Sequence, residues 1–375
     1  MPNLVRLAPG VLTVGKPLPW KVYDKKGNLL LVQGYVIQTE SQLEMLYQRG
    51  LFYQQVRALE PEDTQDDPDP RRFSPFVEYA GLLQSLEDTL NAIASQRESA
   101  ARKLEWLARH IDAICDSDPD AALALVHIYS VEPTAYEQTL FYAILCRIAA
   151  RRLGFDPERS HRLLMAALTA NLALLPHQDK LNQSRSTLNA QQRAVVEKHP
   201  ELSAEALAKA GIDHEQCLLI IRQHHERFDG SGYPHGLSGA DILPEAKLLS
   251  LSERYTAMIT KRAYRNRFRA DQAMAEILAI VKGAPQPEIY HAFFKALTLY
   301  PPGTLVKLAN REVAVVTHRG HRENMPMVQA IVSPKGNPYL GSFSRDSQQE
   351  EYRIEQILMP DILPPLNLAS MWGYG

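Results

Sequence analysis

Three histidines lie in two short stretches of the sequence that could together bind a metal ion. His224 and His225 are adjacent and follow the apolar run CLLII at 217–221, and His199 precedes Pro200. A helix that is apolar on every side is buried, so we expect the pair to be drawn into the interior or a cleft. The residue before a proline avoids helical dihedrals, which places His199 at a helix end or a kink. Imidazoles at element ends suit a transition metal, although single histidines there are more often structural or solvated.

A glycine-rich turn follows the histidine pair. It is the sequence DGSGYP, from Asp229 to Pro234. Gly230 and Gly232 can adopt positive φ and let the backbone turn sharply, and Pro234 fixes the exit from the turn. These residues predict a rigid loop directly after the candidate metal ligands. Tyr233 is then the large side chain that the loop presents.

Changes in sequence pattern divide the chain into parts that would position these residues. Residues 1–57 alternate apolar and polar and predict a small β-rich module. Residues 58–75 are acidic and proline-rich and predict a linker. Residues 76–297 have apolar side chains at three- and four-residue spacing, which predicts a helical domain. Residues 298–375 return to β-type runs with glycine turns, a small β module with a tail. The predicted fold is mainly α with flanking β modules, α+β overall.

Composition excludes several classes of function. The formal net charge is −2 without a long run of either sign, which argues against a nucleic-acid-binding protein. The most apolar stretch, 163–175, is too short to span a bilayer, and the N-terminus lacks the apolar region of a secretory signal. Cys115, Cys146 and Cys217 are well separated among apolar neighbours, which predicts buried free thiols. We therefore expect a cytoplasmic protein without a membrane partner, and its oligomeric state stays open.

The loop region resembles the signature of HD-GYP domains of bacteria. The resemblance rests on HHE from His224, on DGSGYP, on the GL-x-G stretch that follows, and on R-x-Y-R from Arg262 to Arg265. The pair His199-Pro200 fits the same family in order and distance, and the match extends over about residues 120–297. HD-GYP proteins are all-helical, bind two or three adjacent metals, commonly iron or manganese, and hydrolyse cyclic di-GMP when active. The resemblance implies this fold for the helical domain.

The name-giving HD pair departs from the family pattern. The family helix reads AAL-x-HD-x-GK, and the matching stretch here is AALTANLAL at 166–174. On this alignment Ala170 replaces the metal histidine, Asn171 replaces the bridging aspartate, and Leu174 replaces the lysine that meets the phosphate. An upstream metal histidine falls near Gln138. The resemblance therefore implies that half of the family's metal site is missing.

Two later family positions complete the comparison. Glu253 stands where the family has an aspartate and keeps a carboxylate, whereas Thr256 stands at a second aspartate. In two-metal hydrolases the cations lie about 3.5–4 Å apart, and a bridging carboxylate offsets their repulsion. A neutral amide supplies no such charge, and the leucine removes a cation that would stabilise the reacting phosphate. We expect no catalytic residues. The residual site would be His199, His224, His225 and Glu253, with capacity for one iron or manganese ion at most.

Three functions follow from this sequence. The first is a non-catalytic HD-GYP-type signalling protein. It would bind a diguanylate cyclase (GGDEF) domain through an exposed Tyr233, or it would sense cyclic di-GMP in the cleft that corresponds to the active site of catalytic family members. Arg262 and Arg265, at the family's own arginines, would then meet phosphate. The second is an active cyclic di-GMP phosphodiesterase with a remodelled site that recruits His177 or Asp179. The third is a structural scaffold whose terminal β modules make the contacts. The loop from Asp229 to Pro234 has the alternative role of capping the helix before it.

Overall fold

The chain is mainly helical, with an antiparallel sheet near each end, which confirms the predicted α+β class. The computed structural model describes residues 4–7, 11–54, 74–177, 189–261, 267–320, 322, 324–359, 364 and 366–374. Most of the predicted linker at 58–75 lies outside these residues, and Pro75 is already the first residue of a helix. The domain boundaries stay a prediction.

The N-terminal module is a four-stranded sheet with one helix. Its elements are β1 (Leu4–Arg6), β2 (Val22–Tyr23), β3 (Leu29–Leu31), α1 (Glu40–Arg49) and β4 (Phe52–Gln54). The strand order is β1-β4-β2-β3, and every pair is antiparallel. Leu18, Val22, Ile37 and Leu51 are buried in a small core of their own. The module thus has its own apolar interior.

The central layer consists of helices that enclose the largest core. In chain order they are α2 (Pro75–Ala94), α3 (Ala100–Ser117), α4 (Pro119–Ile128), α5 (Ala135–Leu153), α6 (Pro157–Thr169), α7 (Ala190–Lys209), α8 (Glu215–Gln223), α9 (Pro244–Ile259), α10 (Ala270–Ile280) and α11 (Pro287–Leu297). The central helix α5 is apolar on nearly every side and packs against α6, α9 and α11. A capping box of Thr134 and Glu137 starts it, and Gly154 ends it in the left-handed conformation.

The C-terminal module is a five-stranded antiparallel sheet. Its strands are β5 (Leu305–Leu308), β6 (Val313–His318), β7 (Met327–Val332), β8 (Pro338–Asp346) and β9 (Ile354–Leu358), in the order β8-β7-β6-β5-β9. A final short helix, α12 (Leu368–Met371), returns to the helical layer. There Trp372 packs on Phe76 of α2, with ring centroids 4.7 Å apart.

Both terminal modules are tied to the helical layer by buried polar contacts. Lys16 forms an ion pair of 2.6 Å with Glu137 of α5, and the Tyr79 hydroxyl donates to the same carboxylate at 2.8 Å. At the other end, the Tyr374 hydroxyl donates to Asp118 at 2.8 Å. The sheets are therefore docked on the helices rather than independent of them.

Two smaller predictions concern the cysteines and the membrane. Cys115, Cys146 and Cys217 are buried and free, as their apolar surroundings predict. Within the described part of the chain, each helix is too short or too polar to cross a membrane.

Candidate metal centre

The fold brings the three predicted histidines together. His199 lies on α7, His224 caps the end of α8, and His225 is the next residue. One potential ligand atom from each lies within 4.8 Å of the other two. The Nε2 atoms of His199 and His224 are 3.3 Å apart, and both side chains are fully buried.

Pro200 explains how His199 is oriented. The helix α7 continues through Pro200, so of the two predicted alternatives, a helix end or a kink, the helix end is wrong. A proline has no N–H to donate to the carbonyl four residues earlier, which is that of Val196. Nδ1 of His199 lies 2.5 Å from this carbonyl oxygen and takes the place of the missing donor. The imidazole therefore donates to the carbonyl that Pro200 leaves without a donor, and its Nε2 atom faces His224.

His224 is held in the same manner. Its Nδ1 atom lies 2.6 Å from the carbonyl oxygen of Ile221, in the last turn of α8. Because a carbonyl oxygen only accepts hydrogen bonds, we assign the proton of each of these two imidazoles to Nδ1. The two Nε2 lone pairs then face each other across 3.3 Å. Such an arrangement is repulsive without a cation or a proton between the two atoms.

Electrostatics favours a cation other than a proton at this position. Burial, together with the neighbouring His224, lowers the pKa of His199 to about 3. Burial lowers the pKa of His224 to about 4. Both imidazoles are therefore neutral near pH 7 and can act as metal ligands. Two imidazoles that share one zinc ion, with bonds of about 2.0–2.1 Å at a tetrahedral angle, have nitrogens about 3.3 Å apart. The residues present fit a transition metal.

Glu253 supplies a carboxylate beside the histidines. Its Oε2 atom lies 3.8 Å from Nε2 of His224 and 3.9 Å from Nε2 of His225. Burial raises the pKa of Glu253 to about 8, although a hydrogen bond from Asn171 opposes the shift. A cation at this position would favour the ionised carboxylate. The candidate ligand set is thus three imidazole nitrogens and one carboxylate oxygen.

Asn171 occupies the other side of Glu253. Its side-chain amide donates to Glu253 Oε1 and, at 3.1 Å, to the hydroxyl of Tyr142. That hydroxyl is in turn 2.9 Å from Oγ1 of Thr139. Asn171 is buried, and Ala170 next to it is fully buried with only a methyl group to offer. The contact between Asn171 and Glu253 places residue 171 at the histidine cluster, where the sequence alignment expects it.

The other positions aligned with family ligands have partners elsewhere. The Gln138 amide donates to the carbonyl of Pro133 at 3.1 Å, and the Thr256 hydroxyl donates to that of Ser252 at 2.8 Å. Leu174 is buried and apolar. His177 is exposed, and Asp179 lies outside the described residues.

The loop after the histidines is held by a carboxylate that the sequence analysis did not single out. Glu226 is buried and accepts from the N–H groups of His235, at 2.7 Å, and of Leu237, at 3.0 Å. Glu226 follows the histidine pair directly in HHE, and this position in the sequence could have identified it as a residue of the site. At the tip, the Asp229 carboxylate accepts from the Ser231 N–H at 3.0 Å and from its hydroxyl. These bonds lower the pKa of Asp229.

The two glycines of the loop serve different purposes. Gly230 has a φ of 76°, as its predicted role requires. Gly232 does not have positive φ among the described backbone, so that part of the prediction is wrong. A Cβ at Gly232 would lie 2.5 Å from both the Glu226 Cα and the Arg227 nitrogen. Gly232 is therefore needed for close approach of two backbone segments.

Tyr233 is part of the wall of the histidine cluster. Its ring stacks on that of His225, with centroids 4.7 Å apart and an interplanar angle of 30°, and it lies 6.4 Å from the ring of His199. The residue is half-buried rather than exposed, and burial raises the pKa of its hydroxyl. The expected exposed anchor is therefore wrong on exposure, because the ring packs inward on His225. Pro234 follows a cis peptide bond.

Comparison with known families agrees with this geometry. Residues 122–282 match the family model described as HD domain, a range that includes the three histidines and Glu253. The matched range covers less than half of the chain.

Several curated relatives are similar to part of the chain. The chain is 26% identical over 230 residues to cyclic di-GMP phosphodiesterase PA4108 of Pseudomonas aeruginosa, covering 61% of this chain and 55% of that protein. It is 29% identical over 196 residues to the cyclic di-GMP phosphodiesterase response regulator RpfG of Xanthomonas campestris pv. campestris, with 52% and 48% covered. The chain spans about half the length of the curated relatives it matches.

A solved structure shows the same fold. Bd1817, a HDG"Y"P protein from Bdellovibrio bacteriovorus, aligns with a TM-score of 0.50 at 18% identity, covering 79% of this chain and 99% of that chain. The likeness in fold therefore extends beyond residues 122–282.

Two arginines that the sequence analysis did not select lie near the histidine cluster. Arg262 and Arg265 lie outside the described residues. The pKa of His225 lies well below its usual value, chiefly because the imidazole is buried and because two other imidazoles are close. The half-buried Arg254 and the exposed Arg227 also lower this pKa, so both guanidinium groups lie near His225. Neither guanidinium has a hydrogen-bond or ion-pair partner among the described residues. Arg254 follows Glu253 directly, but the sequence carries no sign that it is left without a partner.

The remaining basic residues around the loop have acidic partners. Arg222 forms an ion pair with Glu201 at 2.9 Å, and Lys261 forms one with Glu132 at 2.8 Å. His235 also contacts Glu201, at 2.8 Å. Arg227 and Arg254 thus place positive charge beside His225 without a hydrogen bond or ion pair to a described residue.

Proposed function

We propose that the chain is an HD-GYP-type protein of bacterial cyclic di-GMP signalling that binds the nucleotide without hydrolysing it. In this proposal His199, His224, His225 and Glu253 hold one metal ion. The observation that carries the proposal is the hydrogen bond from the Asn171 amide to Glu253 Oε1. On the alignment, this neutral amide stands where the family has the bridging aspartate that a second cation would need.

The argument against hydrolysis is one of charge and ligand number. A second cation about 3.5–4 Å from the first needs anionic bridging ligands. Asn171 is neutral, Ala170 has no ligand atom, and Thr256 donates its hydroxyl within its own helix. A bound metal would supply Lewis-acid chemistry, but a single ion does not hold both the attacking and the leaving oxygen of a phosphodiester. The residues present support binding better than turnover.

Positive charge beside the cluster supports an anionic ligand. The guanidinium groups of Arg254 and Arg227 lie near His225, and neither forms a hydrogen bond or ion pair with a described residue, although Arg227 is close enough to Asp229 to lower the pKa of that carboxyl group. Arginine recognises phosphate through paired N–H donors, so these two residues are suited to the phosphates of a cyclic dinucleotide. The relatives named cyclic di-GMP phosphodiesterases support this choice of nucleotide. Arg262 and Arg265 stay predicted phosphate ligands.

A second candidate is an active metal-dependent cyclic di-GMP phosphodiesterase. The names of the relatives favour it, and so does the complete set of three clustered histidines. It needs ligands from residues such as His177 or Asp179. Contact with a diguanylate cyclase domain is a further prediction. The half-buried Tyr233 suits it less than the exposed Asp229 and Ser231 of the same loop.

One experiment separates binding from hydrolysis. The full chain is purified without air, supplied with Mn²⁺ and titrated with cyclic di-GMP in a calorimeter, and the mixture is then analysed for linear and mononucleotide products. We expect binding without product. Arg254→Met should weaken binding at least tenfold, whereas Arg222→Met, which removes a guanidinium already paired with Glu201, should change it little.

Two results would overturn the proposal. Product formed at a rate proportional to protein concentration, and lost in His224→Ala, would establish the phosphodiesterase. Equal affinity in the wild type and in Arg254→Met would remove the arginine from the nucleotide site.

A further inference from the structure

A cavity of about 550 Å³ lies where the N-terminal sheet, α2, the C-terminal sheet and the C-terminal segment meet. Within the described residues, its lining includes no member of the histidine cluster. The volume falls in the range of about 300–1,000 Å³ that small-molecule sites occupy. Nothing in the proposed nucleotide chemistry uses this cavity.

The walls of the cavity are mainly apolar. Phe76 of α2, Ile331 of β7, and Leu366 and Met371 of the C-terminal segment are buried side chains that line it. Val32, which follows β3, lines it as well and is 50% exposed. These side chains favour a ligand with a hydrocarbon or aromatic body.

The C-terminal segment is fixed in place as one side of this cavity. The N–H of Leu366 donates to the carbonyl of Gly34 at 3.2 Å. Gly34 has a φ of 80°, and a Cβ there would lie 2.1 Å from the Leu366 carbonyl oxygen. Only glycine fits this crossing. The segment is therefore held against the N-terminal module by its backbone, and the cavity is a feature of the folded chain.

Lys21 and Tyr129 contribute a charged and a buried polar group to the lining. Lys21 is exposed and has no ion-pair partner among the described residues. Tyr129 is fully buried, and its hydroxyl has no hydrogen-bond partner within the described part of the chain. A buried hydroxyl without a partner is unfavourable, so a polar ligand atom that reached it would be stabilised. The cavity thus combines an apolar interior with one cation at its edge.

We infer that this cavity is a binding site for a small amphipathic carboxylate. The apolar body of the ligand lies between α2, β7 and the C-terminal segment, and its carboxylate lies at the ammonium group of Lys21. The negative charge of the ligand complements a lysine that is not otherwise neutralised by described residues. Because the ligand contacts both terminal modules and α2, its binding also strengthens their docking.

The experiment uses the full chain with two probes, the fluorescent aromatic sulfonate 1-anilinonaphthalene-8-sulfonate and decanoate as its competitor. Gly341→Trp is designed to place a large side chain at the cavity: Gly341 lines it, a Cβ there meets no heavy atom within 4 Å, and its φ is not left-handed. Ser344→Trp is the matched control, because Ser344 is exposed on the same strand and does not line the cavity. We expect at least tenfold weaker binding of both probes in Gly341→Trp and no change in Ser344→Trp.

A second variant tests the charge without filling space. Lys21→Met should weaken decanoate binding at least fivefold and leave the binding of neutral decanol unchanged. Circular dichroism and Mn²⁺ binding should match the wild type in each variant, and if Gly341→Trp fails this check, Lys21→Met decides alone. Wild-type affinity in a folded Gly341→Trp, or an unchanged preference for decanoate over decanol in Lys21→Met, overturns the inference. Neither result bears on cyclic di-GMP binding.

Discussion

Replacement of Asn171 by aspartate should make the chain less stable without metal and more responsive to metal. The Asn171 amide donates two hydrogen bonds, to Glu253 and to the hydroxyl of Tyr142. An ionised aspartate has no donor, so Asn171→Asp loses the bond to Glu253, whereas the Tyr142 hydroxyl can still donate to residue 171. The change also brings two acidic groups together in a buried place. A divalent cation at the histidines would turn this repulsion into attraction.

The magnitude follows from the lost donor to Glu253 and from the added acidic group. A buried oxygen left without its donor costs roughly 1–3 kcal/mol, and burial of a second carboxyl group adds to this, so we expect a loss of about 2–4 kcal/mol without metal. For a domain of this size each kcal/mol shifts Tm by about 2–4 °C, so Tm should fall by roughly 5–15 °C. A ligand at a hundredfold excess over its Kd stabilises the folded state by about 2.7 kcal/mol, which would offset most of this loss.

The assay is thermal unfolding of Asn171→Asp and of the wild type, with chelator and with excess Mn²⁺. The control is Asn189→Asp, which makes the same change of charge at the N-cap of α7, where asparagine and aspartate cap equally well. We expect Mn²⁺ to raise the Tm of Asn171→Asp by more than it raises that of the wild type or of the control. An equal rise in all three proteins would refute the placement of residue 171 at the metal site.

Two further predictions concern the loop and the C-terminal sheet. Gly232→Ala should lower the free energy of unfolding in urea by about 1–3 kcal/mol, because its Cβ would meet backbone atoms. Gly341→Ala has open space around its Cβ and should stay within about 0.5 kcal/mol of the wild type. Equal losses of stability in the two variants would contradict the close packing at Gly232. Burial would raise the pKa of Glu312, but hydrogen bonds from Arg345, Asn310 and Tyr339 outweigh it and lower the pKa from 4.5 to about 2. The ionised Glu312 stabilises the folded state at pH values above the pKa of this group in the unfolded chain, and this stabilisation is lost as the pH falls. The difference in stability between Glu312→Gln and the wild type should therefore shrink between about pH 4.5 and pH 2. A constant difference in the urea midpoint over this range would contradict the prediction.

The sequence predicted those features that depend on local pattern. Apolar spacing and turn residues are local, and they gave the helical layer and the β-rich ends. The gathering of His199, His224 and His225 was anticipated from their residue types and from the family resemblance. The contact between Asn171 and Glu253 agrees with the alignment that placed both at one site.

Other features depend on tertiary contacts that the sequence does not display. The helix passes through Pro200 because the His199 imidazole replaces the missing donor to Val196, which a rule based on neighbouring residues does not foresee. Tyr233 turns inward because a ring is available at His225, 8 positions earlier in the chain. Arg254 lacks a described partner as a result of how α9 packs, and no local signal marks it.

The most direct test of the central claim is the number of metal ions bound per chain. The protein is purified without air, offered iron and manganese together, and analysed for metal and protein content beside His224→Ala. The account predicts about one ion per chain in the wild type and almost none in the variant, because Ala170 and Asn171 leave ligands for a single ion. Two or more ions per chain would contradict the claim and favour the phosphodiesterase, and a ratio near zero would contradict metal binding by the three histidines.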